Sequence, residues 1–390
     1  MRNYIQRDIQ PYLHRMLEGF PTVSLCGPRQ SGKTTLCRME FPQLEYVNLE
    51  NPGVRQLALQ DPVGFISQFN SGAILDEIQL VPELFSSLQV VIDEDRFTGN
   101  NNRKFILTGS SNFSLQPGLR QSLAGRTALL TLLPFSLNEL KSGGYSESAD
   151  EYIFYGGYPA VWDSGFDLKT DIMENYINTY VERDVRRLME VKDINKFHNF
   201  IKLCAARIGT ELNKSSLSVE LGVSVSTIDN WISVLEASYV MFLLKPWFSN
   251  IGKRLTKTPK VYFYDTGLAC TLLNITSAKD FYLNPMRGQL FENMMISDQQ
   301  KKIYNFGLKE ELFFFRDKTG NEVDLLINGK EGIKAFEIKA GATFQPEYLK
   351  NLKYLKKLLG EKIYESGVIY NGETEFLKKE EAIINFINFK

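Results

Sequence analysis

Residues 27–34 read Gly-Pro-Arg-Gln-Ser-Gly-Lys-Thr and satisfy the spacing G-x-x-x-x-G-K-[ST] in full. The apolar run Thr22–Cys26 precedes the motif and a helix-compatible segment follows it, so the chain is expected to pass from strand to loop to helix. Glycines in such a loop let successive backbone N–H groups turn inward on one anion. The helix that follows adds the positive end of its dipole. Lys33 is spaced to reach the outer phosphates of a nucleoside triphosphate, and Thr34 to ligate Mg²⁺. Gly27, Pro28, Arg29, Gln30, Ser31, Gly32, Lys33, Thr34 and Thr35 are therefore the candidate nucleotide-binding residues. Arg29 is either a phosphate contact or an ion-pair partner at the sheet edge.

A phosphate loop of this kind needs a second acid near the metal. Asp76 and Glu77 close the apolar run Ala73–Leu75, where the C-terminal end of a parallel strand would deliver them beside the loop. Asp76 is the candidate for the Mg²⁺ shell, and Glu77 for orienting or deprotonating an attacking water. Ser110, with Ser111 and Asn112, follows the run Lys104–Thr108 and is placed to touch the γ-phosphate.

Short apolar runs at 22–26, 46–50, 73–77, 104–108 and 127–133 alternate with helical stretches such as 82–93. That pattern predicts a parallel α/β sheet. Residues 1–20 are expected to form one amphipathic helix, and 95–103 a polar loop. Apolar residues make up 43% of the 390 and charged residues 23%, ordinary globular usage that excludes a disordered or low-complexity chain. With 45 Lys+Arg against 46 Asp+Glu, any nucleic-acid surface must be local. The four cysteines (26, 37, 204, 270) form no CxxC pair, and two histidines, His14 and His198, exclude a multi-histidine metal centre. No apolar stretch approaches the roughly 18 residues that span a bilayer, and residues 1–10 do not resemble a secretory signal. A cytoplasmic protein without membrane contact is expected.

GPRQSGKTT, VNLE, AILDEIQ, KFILTGSSN and SLAGR…LLPFSLNEL follow one another in that order. Over residues 1–345 the chain resembles a bacterial and archaeal family of AAA-type, STAND-related P-loop ATPases whose C-terminal domain of unknown function has a nuclease-like fold. The resemblance implies ATP as the nucleotide, with Mg²⁺. It also implies that Arg126, in the Gly-Arg pair, is a cationic sensor or finger facing the nucleotide. AAA-type sites often borrow an arginine from a neighbour, so self-assembly into a homo-oligomer is a further expectation.

Beyond the linker-like Ser142–Ser146, residues 151–207 read as mostly helical. Residues 215–221 and 224–239 resemble a helix-turn-helix with Gly222 at the turn, and the extended runs 241–244 and 261–264 would make a wing. Residues 196–260 hold nine basic and four acidic side chains. Lys253, Arg254, Lys257 and Lys260 cluster in the expected wing, the footprint of phosphate-backbone contact with little sequence readout. The other reading of this segment is a packing module between domains.

Asp324, Glu337 and Lys339 form D-x₁₂-E-x-K, which resembles the core of PD-(D/E)xK nucleases. Period-2 geometry puts Glu337 and Lys339 on one strand face, where Asp324 and Glu337 would share Mg²⁺ and Lys339 would steady a water or phosphate. Glu292 matches the acid that some such folds add from their first helix. The expected architecture is thus α/β: a P-loop NTPase parallel sheet (1–140), a helical lid (141–195), a winged-helix-like domain (196–275) and a nuclease-like α/β domain (276–390). The leading function is an ATPase coupled to a DNA-binding half, with or without DNA cleavage. The alternative is a nucleotide-gated binding or signalling protein whose nuclease-like domain is non-catalytic.

Overall fold

The computed structural model describes residues 4–100, 102–110, 122–145, 148–181, 194–247, 258–376 and 381–389. Strands β1 (Thr22–Cys26), β2 (Glu45–Asn48), β3 (Gly72–Asp76), β4 (Lys104–Gly109) and β5 (Thr127–Thr131) build the first sheet. Every pairing in it is parallel, in the order β2-β3-β4-β1-β5. β1 and β3 are buried at all five positions, as expected of strands covered on both faces. On one face Val23, Leu25, Ile74 and Ile106 pack with Leu13 and Leu17 of α1 (Gln10–Gly19) and Leu36 of α2 (Lys33–Glu40). The other face carries α3 (Glu83–Thr98) through Leu84, Leu88 and Ile92.

Two boundaries differ from the sequence reading. The first helix begins only at Gln10 because Pro11 occupies its first turn, where a missing N–H costs nothing; residues 4–7 precede it without helical structure. α3 runs on through Thr98, into the stretch expected to be loop, and stops at Gly99 in the left-handed conformation (φ 77°). Asp95 is buried there, pairing with Arg103 at 3.4 Å.

The chain then passes through α4 (Leu137–Ser142), α5 (Pro159–Asp163), α6 (Ile194–Ala205), α7 (Lys214–Leu221) and α8 (Val225–Ala237). Gly222, at φ 60°, makes the turn between α7 and α8. An antiparallel pair follows, β6 (Met241–Pro246) with β7 (Lys260–Phe263). The helix α9 (Arg287–Phe306) leads into β8 (Glu311–Arg316), β9 (Glu322–Gly329), β10 (Gly332–Lys339), α10 (Lys350–Leu359), β11 (Ile363–Tyr370) and β12 (Ala382–Asn385). These seven strands form one sheet, ordered β12-β11-β10-β9-β8-β6-β7. The sheet therefore crosses the division expected near 275, because β6 also pairs with β8. No described helix is long and apolar enough to cross a membrane.

Candidate functional site

β1 ends at Cys26, and the phosphate-loop motif turns directly off its C-terminal end. Gly27 sits at φ +148°, and a Cβ there would stand 2.1 Å from the Leu132 carbonyl oxygen. Only glycine fits so close to that backbone. Gln30 and Gly32 also adopt positive φ, 59° and 92°, which bends the loop back into α2. Lys33 is buried and donates to the carbonyls of Gly27 (2.9 Å) and Pro28 (2.7 Å). Burial lowers the proton affinity of its ammonium, and Glu77, Cys26 and Asp76 oppose that shift.

Asp76 closes β3, with β4 between it and β1. Its carboxylate accepts from Thr34 (3.1 Å) and Tyr46 (2.7 Å) on one oxygen, and from Thr108 on the other. Thr34 and Asp76 thus offer a hydroxyl and a carboxylate at the loop mouth. Mg²⁺ takes hard oxygen ligands, a carboxylate or two together with substrate phosphates, and this pair fits it. Glu77 is one of five described non-glycine residues at positive φ (57°). Its carboxylate accepts from Gln79 and from Ser110 (3.3 Å). Burial raises its proton affinity, and Lys33 and Arg29 pull it down again. Lys33, Thr34, Asp76, Glu77 and Ser110 therefore meet in one place; Ser111 and Asn112 lie outside the described residues.

Arg126 does not face this site. Its carbonyl accepts from Thr22 at the opposite end of β1, so the length of that strand separates it from the loop. Its guanidinium is held by Asp93 of α3 through two bonds of 2.7 Å. The expectation of a nucleotide-facing cation within the same chain is corrected accordingly.

Sequence reasoning missed Arg7. Buried and outside any motif, it donates to Ser31 O of the loop (2.8 Å), to Leu133 O (2.6 Å) and to Glu139 (3.0 Å). Glu139 also accepts from the backbone N–H groups of Asp8 and Ser136. Arg7, Gly32, Thr35 and Leu36 line a cleft of about 310 Å³ with Tyr4, Phe135 and Pro159. It is largely apolar and opens beside the loop.

A second cluster occupies the C-terminal sheet. Lys339 donates to Asp324 (3.0 Å) and Glu337 (2.5 Å). Asp324 also accepts from the Ile338 N–H at 2.8 Å, and Glu337 from Asn351 of α10 at 3.3 Å. One ammonium between two buried carboxylates favours one charge: Asp324 is held below its ordinary range, chiefly by Lys339, against the effect of burial, while burial and Asp324 push Glu337 up to about 8. Glu292 of α9 joins from the side, accepting from Tyr262 and from Lys260 (3.2 Å), and is pushed up to about 7, first by burial. Lys260 also pairs with Glu322.

This overturns the reading of Lys260 as a wing contact. The residue is 2% exposed and its ammonium points into the acid cluster, where no external phosphate reaches it. Lys253, Arg254 and Lys257 lie outside the described residues. Among the described residues no group of three or more His, Cys, Asp or Glu side chains is placed to hold a metal ion.

Comparison with known proteins agrees with this geometry at its N-terminal end. Residues 19–141 match the family described as an AAA domain. Residues 146–279 and 287–389 match two domains of unknown function, DUF8612 and DUF4143. An uncharacterized protein of Mycobacterium tuberculosis is 28% identical over 375 residues, 95% of this chain and 81% of that one. An uncharacterized protein of Haemophilus influenzae is 25% identical over 405 residues, 94% of each. Among solved structures, the Walker-type ATPase of Pyrococcus abyssi superposes with a TM-score of 0.49 at 15% identity, over 69% of this chain and 96% of that one. The AAA match thus spans about the N-terminal third of the chain and includes the phosphate-loop motif and Asp76–Glu77.

Proposed function

We propose that this chain binds ATP with Mg²⁺ at Gly27–Thr35 and hydrolyses it, and that nucleotide state is passed to a nucleic-acid-facing C-terminal half. The convergence of Lys33, the Thr34–Asp76 pair and buried Glu77 at one end of the sheet carries this reading. Backbone N–H groups of the loop and of the first turn of α2 bind the phosphates. Lys33 exchanges its two loop carbonyls for phosphate oxygens. Thr34 and Asp76 would hold Mg²⁺, which when bound neutralises charge on the β- and γ-phosphate oxygens. Glu77, kept basic by burial and aimed by Gln79 and Ser110, orients the attacking water and takes its proton. The cleft between Tyr4, Leu36, Phe135 and Pro159 receives the base.

The C-terminal half supports a nuclease-like reading through its succession α9-β8-β9-β10-α10-β11 and through the meeting of Asp324, Glu337 and Lys339. Turnover tests the first half of the proposal. Glu77→Gln should retain ATP binding while turnover falls by about 10²–10⁴, with the assay run with and without duplex DNA. Undiminished turnover in that variant removes Glu77 from the mechanism.

One observation favours the non-catalytic alternative. Lys339 and Lys260 place their ammonium groups between the carboxylates, where a metal would sit. Nicking of supercoiled DNA in Mg²⁺ or Mn²⁺ that disappears in Asp324→Ala supports cleavage. No nicking by the unaltered protein in either metal supports a binding module.

A further inference from the structure

The helix α10 spans Lys350–Leu359, KNLKYLKKLL, and contains four lysines and no acid. Leu352 and Leu355 are buried against the sheet. Lys350, Lys353, Tyr354 and Lys357 fall at i, i+3, i+4 and i+7, one face of a helix, and all four are exposed. The Tyr354 hydroxyl reaches Asp317 in the turn between β8 and β9. Lys318, next in sequence, is exposed in the same turn. Two acids among the described residues meet the stripe, Asp317 through Tyr354 and Glu381, 3.4 Å from Lys353, with the Lys353 and Glu381 side chains at least half exposed. An exposed pair of this kind is weak and exchanges readily. The same helix meets the acid cluster through Asn351, the residue after Lys350, which donates to Glu337.

A row of lysines on a chain of balanced charge is a local cationic field. A phosphodiester approaching the cluster meets Asp324 already paired with Lys339, so the attraction that holds it comes from cations outside the cluster. We propose that the exposed face of α10, through Lys350, Lys353 and Lys357 with Lys318 at its edge, is the surface that grips the nucleic-acid backbone and brings it to the Asp324–Glu337–Lys339 cluster. The first and last of the three helix lysines lie seven residues apart, about 10 Å at 1.5 Å per residue. That length faces about three phosphates of one strand at 3.4 Å of helix axis each. Contacts to phosphates carry no sequence information, so this surface binds without sequence preference. The proposal rests on the reading of the C-terminal half as nucleic-acid-facing and moves the contact from the β6–β7 hairpin to α10.

The test is duplex binding by the full chain, monitored by fluorescence anisotropy with a short random-sequence DNA between about 50 and 200 mM salt. Replacing Lys350, Lys353 and Lys357 together by Ala should weaken binding at least tenfold at the lowest salt. It should also reduce the slope of log K against log salt by about 2–3, with ATP binding and thermal midpoint unchanged. Replacing all three by Arg should restore both affinity and slope. Equal affinity and slope in the Ala variant overturn the assignment to α10 and leave the nucleic-acid reading standing. No duplex binding by the unaltered protein at about 50 mM salt overturns both.

Discussion

Gly27 shows how tightly single residues are constrained here. Its φ and the 2.1 Å approach of a hypothetical Cβ to Leu132 O exclude any side chain. Gly27→Ala should cost about 3 kcal/mol and remove nucleotide binding, read by denaturant unfolding and by titration with ATP. The motif spacing made this glycine legible, but the strand end it presses on was not. Asp76 and Glu77 were legible as strand-end acids. Tyr46 and Thr108, which hold Asp76, were not, because a hydroxyl on a neighbouring parallel strand leaves no local pattern. At the second cluster, Glu337 is pushed up to about 8 from an ordinary 4.5. A carboxyl with a raised folded pKa favours the folded state below pH 4.5, and that contribution is lost as pH rises through 8. The unfolding midpoint should therefore fall between about pH 4.5 and 8 and level off above that, and Glu337→Gln should flatten that fall. An identical pH profile in the variant would show that Glu337 does not hold its proton there.

Elements were read best where pattern is local. The parallel strands of the first sheet and the α7–α8 pair carry their own periodicity and turn residues, including Gly222. The start of α1 and the end of α3 turned instead on single residues, Pro11 and Gly99. β11 and β12 escaped notice because strands of a mixed sheet are defined by partners distant in sequence. Lys260 is the clearest case of context overriding charge. A lysine in a basic run reads as surface, yet β7 carries it into the sheet edge against Glu292 and Glu322. Lys260→Met should destabilise by about 3 kcal/mol by stranding buried carboxylates, and leave the salt slope of duplex binding unchanged. A changed slope with unchanged stability would return Lys260 to the DNA surface.

Across the whole molecule, the phosphate-loop domain and the C-terminal half are in contact at the loop that follows β5. Lys301 of α9 donates to Phe135 O at 2.9 Å, and Asp298 accepts from Leu137 N–H at 2.8 Å. The same loop touches the phosphate cradle through Arg7, which bonds Leu133 O and Ser31 O. α9 also carries Glu292 into the second cluster. In the proposed function, a nucleotide that shifted the loop would act on a helix whose other end reaches the acids. Arg7→Ala strands Glu139, which is fully buried, and should cost about 3–5 kcal/mol while weakening ATP binding. Saturating ATP with Mg²⁺ should raise the unfolding free energy of the entire chain, by about 2.7 kcal/mol at a hundredfold excess over Kd. Calorimetric titration of the full chain and of Lys33→Ala with ATP and Mg²⁺ measures the central claim most directly. Saturable one-site heat from the unaltered protein and none from the variant is the predicted result; no heat from the unaltered, folded protein, or equal heat from both, contradicts the account.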